Sequence, residues 1–202
     1  MSRSHLSVSL AAALAVLALL SGACRDSSPG AVSLRAYKEN VPKFQALLPQ
    51  WSRWVGEADE KGFQDGAVGP VKGKVVFVGR EYTPLLVEMK KRVDPVTLHF
   101  KNDSSDLHQA GLIAGAPEEV GTVVFIHTLL DQSKQYEGLA SYSTHKFHVF
   151  LVDAATGKVV GRREIRRPEK FDPPATVKGS GPSLYPYEQL DQFVASLSPG
   201  KP

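Results

Sequence analysis

The sequence predicts an α+β fold: one mainly antiparallel sheet with helices packed on it, and helical segments flanking it at both ends. Three observations carry this prediction. Apolar residues recur every three or four positions from Leu34 to Val55. Two strand-like runs flank Asp153-Ala154-Ala155-Thr156-Gly157, and a second helical pattern closes the chain from Tyr187 to Leu197. A length of 202 residues with 42% hydrophobic and 22% charged side chains fits a single folded core. It excludes a disordered polyelectrolyte and a multispan membrane protein. The formal charge of +3 is too mild to argue for nucleic acid.

In chain order, Leu34, Tyr37, Val41, Phe44, Leu48, Trp51 and Val55 form one apolar stripe. Pro42 and Pro49 lie off it, so a kink or split is expected near Val41. This amphipathic segment is taken as 33–60, followed by an α+β domain over 61–198. Gly62 to Gly73 reads as a linker, and Val75-Val76-Phe77-Val78 as a buried strand. Leu85 to Val93 suits a short helix and Val96 to Phe100 a strand, with turn material at Asp94-Pro95 and Asn102 to Ser105. Thr122 to Leu129 is rich in β-branched residues and reads as a strand.

Tyr142 to Val152 and Lys158 to Arg166 read as a hairpin. Asp153 is suited to bond its own turn, and Gly157 to take the left-handed conformation that closes it. Val149 to Val152 is apolar on both faces, which places that strand inside the sheet. Phe171 to Pro186 is a Pro/Gly loop. In the last helix Leu190, Phe193, Val194 and Leu197 face inward.

The N-terminus differs in kind. Arg3 precedes the run Val8 to Leu20, broken only by Ser9, and small residues follow. This is the pattern of a secretory signal peptide over 1–23, too short to span a bilayer. The chain's single cysteine ends the pattern. Leu19-Leu20-Ser21-Gly22-Ala23-Cys24 resembles the lipobox of bacterial lipoproteins, with Ser21 where that class usually has Leu. The resemblance implies lipidation of Cys24, whose thiol accepts the diacylglyceryl group, and membrane attachment through a tether at 24–32. Ordinary signal-peptidase cleavage after Ala23 is the alternative. Arg25, rather than Asp, follows Cys24, and by analogy this favours the outer membrane, facing the periplasm.

Pro117 to Val124, with Val152 to Val160, resembles segments of uncharacterised exported bacterial proteins. Such proteins often end in a Gly-rich loop and a helix, as Lys178 to Leu197 does. The resemblance covers under half the chain and implies an order of elements, without an activity.

Few patterns carry chemistry. Thr156-Gly157-Lys158 lacks the residues of a phosphate loop on either side. His145 and His148, three apart on a strand, project from opposite faces and are not expected to share a metal. Glu118-Glu119 after Pro117 is ordinary helix-start chemistry. Ser180 lacks a nucleophile-elbow context. No catalytic residue, metal ligand or cofactor is therefore assigned. Trp51, Trp54, Arg162, Arg163, Arg166 and Arg167 are the candidates for contact with a partner or with lipid headgroups. The expected role is a lipid-anchored, non-catalytic binding or assembly component of the cell envelope, with a membrane and an envelope protein as partners and no nucleic acid. The alternative is a periplasm-facing enzyme whose Asp, Glu, His and Ser are scattered in sequence.

Overall fold

The computed structural model describes residues 27–59, 63–66, 68, 71–80, 96–135, 141–168 and 183–197. The signal peptide, Cys24, the Leu85–Val93 segment, most of the Phe171–Pro186 loop and part of the Gly62–Gly73 linker lie outside them. The described elements are α1 (Pro29–Asp59), β1 (Lys74–Arg80), β2 (Val96–Leu98), α2 (Ser105–Gln109), β3 (Val120–Gln135), β4 (Ser141–Asp153), β5 (Val159–Ile165), β6 (Ser183–Leu184) and α3 (Tyr187–Ser196).

The sheet runs β2-β1-β3-β4-β5, with β6 beside the start of β4. Pairing is antiparallel except for β1 with β3 and β4 with β6. An α+β fold with one mainly antiparallel sheet is therefore what the chain adopts, with helices at both ends. β3 and β4 pair from Thr122↔Asp153 to Gln135↔Ser141, and β4 lies inside the sheet.

Alternation along the strands builds a core on each face. Val75, Phe77, Val124, Ile126, Phe147, Val149 and Leu151 point to the face covered by α3 through Leu190, Val194 and Leu197. Val76, Val78, Val123, Phe125, Phe150 and Val152 point to the other face. There α1 buries Tyr37, Phe44, Trp51 and Val55, so the apolar stripe is spent on the sheet.

Two boundaries differ from expectation. α1 continues unbroken through Pro42 and Pro49 rather than splitting near Val41. Both prolines are exposed, so the carbonyls that lose an amide partner are on the side where water can replace it. α1 also starts at Pro29, so residues 29–32 are helical rather than tether. Pro tolerates the first helical turn because no amide is needed there. With Tyr37, Phe44, Trp51 and Val55 covering one face of the sheet, α1 and the sheet share a core.

The hairpin turn is built as its residues suggest. Asp153 Oδ1 accepts from the Ala155 and Thr156 amides, and its other oxygen meets Lys72 Nζ at 2.7 Å. Gly157 has φ +66°, and a Cβ there would lie 2.6 Å from the indole nitrogen of Trp54. β5 is the outer strand, which leaves Val159 half-buried and Val160 42% exposed. Its edge is covered at two points: Gly66 N–H donates to Arg162 O, and Asp65 Oδ1 accepts from the Glu164 amide.

This difference within the hairpin is measurable. Leu151→Ala, at 1% exposure, should cost about 2–5 kcal/mol in denaturant unfolding. Val159→Ala should cost clearly less, and equal losses would contradict an outer β5. Gly157→Ala should cost more than the ~1 kcal/mol of an ordinary glycine effect, because a positive φ and an indole clash coincide there.

Candidate functional site

Three polar or aromatic groupings stand out. The first lies on the α1 face of the sheet, beyond the apolar core. His127 and His148 are opposite one another on β3 and β4, and Glu164 is opposite His148 on β5. The His148 Nε2–H donates to Glu164 Oε2 at 2.9 Å, and Lys146 Nζ reaches the same oxygen at 2.9 Å. Arg166 Nε donates to the other carboxylate oxygen, and its NH1 meets Asp131 Oδ1 at 3.2 Å. Phe63 stacks on the His148 ring at 3.8 Å.

The carboxylate at the centre of this cluster already carries its donors. The Arg166 hydrogen bond above all, then those of Lys146 and His148, hold the Glu164 carboxyl down to about 2. A carboxylate with three donors on it is a poor proton acceptor. Burial keeps His148 below the ordinary histidine range despite the attraction of Glu164, so the ring is neutral at pH 7. The cluster bolts β3, β4 and β5 together.

The second grouping ties α1 to the segment after β2. Ser33 Oγ and His108 Nδ1 are 2.8 Å apart, and the His108 Nε2–H donates to Asn102 O at 2.9 Å. Asn102 is fully buried: its Oδ1 accepts from Phe77 N, and its Nδ2 donates to Phe77 O. A serine hydroxyl on an imidazole is the start of a nucleophilic pair. Here, however, the ring is 2% exposed and flanked by Tyr37, whose hydroxyl burial pushes up to about 12. The contact works as a buried latch between α1 and α2.

The third grouping is open to solvent. Phe100 meets Tyr187 edge-on at 5.5 Å, Tyr187 stacks on Tyr185 at 5.2 Å, and Tyr185 stacks on His145 at 4.3 Å. Phe147 underlies both tyrosines from the α3-side core. Phe100 is 54% exposed and Tyr187 38%, so the outer end of this ladder is presented to solvent. Lys101 sits over the Phe100 ring and forms an ion pair with Asp191 of α3.

The residues singled out from the sequence do not form one patch. Trp51 is buried beneath α1, and a core residue is closed to headgroups or partners. Trp54 is half-buried and covers the Gly157 turn, at the opposite end of β5 from Arg166. Arg163 pairs with Asp65, and Arg166 with Glu164 and Asp131, so much of the basic cluster is neutralised in place. Arg162 is half-buried on β5, and Arg167 follows the strand. Cys24 lies outside the described residues. Glu119 stabilises its turn, accepting from the Gly115 amide at 2.7 Å and pairing with Lys74. His145 and His148 do project from opposite faces, one against Tyr185 and the other against Phe63.

Sequence reasoning missed the ladder because its partners come from the start of α3, the end of β2 and β4. The only local sign is the Tyr185-Pro186-Tyr187 triplet. No protein-family model matches the chain, and no curated protein or solved structure matches it either.

These groups set the acid response. Burial, then the Lys101 charge, push His99 down to about 4, and its neutral Nδ1 accepts from the Lys101 amide. The neutral ring's contribution is complete above the unfolded value of ~6.5 and lost as pH falls from there to about 4. Glu164 contributes above its unfolded value of ~4.3, and that contribution is lost as pH falls toward about 2. Melting midpoints should thus decline in two stages. His99→Asn should shrink the upper stage, to which buried His108 and His148 also contribute, and Glu164→Gln should shrink the lower one, as read by circular dichroism against pH.

Proposed function

We propose that this chain is an exported lipoprotein of the cell envelope, held to the membrane through lipidated Cys24. It acts there as a non-catalytic binding or assembly component, with outer-membrane residence facing the periplasm. The observation that carries the reading is the position of the only cysteine, at the end of a short apolar leader and small residues. A diacylglyceryl group with a further acyl chain anchors stably where a single chain does not. The start of α1 at Pro29 supports a membrane-proximal domain. The five Cα-to-Cα steps from Cys24 to Pro29 reach at most about 18 Å when extended.

Binding is favoured over catalysis by the contrast among the three groupings. The titratable cluster has its carboxylate saturated, and the serine–histidine contact is buried. The exposed grouping is aromatic, which suits recognition of an envelope partner through the Phe100–Tyr187 end of the ladder.

The anchor is tested by metabolic labelling with fatty acid and by membrane fractionation. Label and membrane association are expected for the wild type and neither for Cys24→Ala; an unlabelled, secreted wild type would remove the proposal. The alternative of a periplasm-facing enzyme with scattered Asp, Glu, His and Ser has one testable form in the Ser33–His108 contact, which would predict modification of Ser33 by a fluorophosphonate probe. No labelling of Ser33 is expected.

A further inference from the structure

The face of α1 turned away from the sheet carries more basic than acidic side chains over residues 29–55. Lys38, Lys43 and Arg53 are exposed there, against the single exposed acid Glu39. At 100° per residue these three cations fall within one broad sector, opposite the buried Tyr37, Phe44 and Trp51. Glu57 and Asp59 come only at the end of the helix farthest from Cys24. With 31 residues, α1 is about 46 Å long.

We infer that this basic outer face of α1 lies against an anionic phospholipid surface, so that the protein rests on the membrane side-on, with the sheet above α1. The inference rests on the proposed lipidation of Cys24. Two features select a bilayer as the occupant. The helix begins five residues after the proposed lipidation position, which keeps its first turns beside the headgroups. Its exposed charge is of the sign that anionic headgroups attract, and it is spread along a rod rather than gathered in a pocket. The basic residues of β5 fit less well, because Asp65, Asp131 and Glu164 already compensate Arg163 and Arg166.

The test uses the lipidated protein purified from cells that process it and reconstituted into vesicles. Phosphatidylcholine vesicles are compared with vesicles that also contain phosphatidylglycerol. A membrane-impermeant amine reagent reads Lys38 and Lys43 by peptide mass spectrometry, with exposed Lys158 in the β4–β5 turn as the reference. On anionic vesicles the modification of Lys38 and Lys43 relative to Lys158 should fall several-fold and recover at high salt. Equal modification on the two vesicle types would overturn the inference and leave the lipoprotein reading intact. Protection already present in detergent micelles would point to a second copy of the chain, and would also overturn it. The mass of the Cys24 peptide is read in the same experiment; an unlipidated cysteine defeats both proposals.

Discussion

The antiparallel pairing of β3 with β4 is the constraint on which the rest of the molecule depends. It runs from Thr122↔Asp153 to Gln135↔Ser141 and supplies apolar side chains to both faces at once. Val124 and Ile126 stand beside Leu151 and Val149 on one face, and Val123 and Phe125 beside Val152 and Phe150 on the other. A one-residue slip would exchange these sets and send His127 and His148 to the opposite face. Each core needs a helical cover, which is why α1 and α3 occupy opposite faces.

The ionic cluster follows from the same register. His127, His148 and Glu164 are neighbours only because β3, β4 and β5 are aligned as they are. Once aligned, the buried imidazole needs an acceptor and the carboxylate needs donors, and each supplies part of what the other lacks. The segment carrying Phe63 and Asp65 then closes over this end of the sheet, stacking on His148 and bonding the β5 backbone. Titratable residues converge here around a carboxylate that Lys146, His148 and Arg166 already occupy, so the cluster braces three strands.

The parts of the fold legible in the sequence are those governed by local periodicity. The stripe from Tyr37 to Val55, the apolar runs of β1, β3 and β4, and the Asp153–Gly157 turn each declare themselves within a few residues. β5 is less legible, because Val159 and Val160 look alike in sequence, yet Val159 is opposite Val152 while Val160 falls at the register shift before Gly161 and is exposed. The prolines misled about α1, since their cost depends on which side of the helix faces water. Sites are less legible than elements. The aromatic ladder joins Phe100 to Tyr187, which are far apart in the chain, and Trp51 looks exposable until the sheet beneath it is known.

The two faces of the sheet also separate the two proposed contacts. The ladder rests on Phe147 and His145, which point to the α3 side, whereas the basic helix covers the opposite side. A membrane beneath α1 would therefore leave Phe100 and Tyr187 turned away from the lipid and accessible to an envelope partner. The reverse orientation, with the ladder in the headgroups, would place the Lys101–Asp191 pair at the bilayer and lift the cations of α1 from the anionic surface. The proposed lipidation of Cys24, five residues before Pro29, makes that arrangement the less favourable one, because an anchor there would hold the first turns of α1 down while the sheet would have to roll over them.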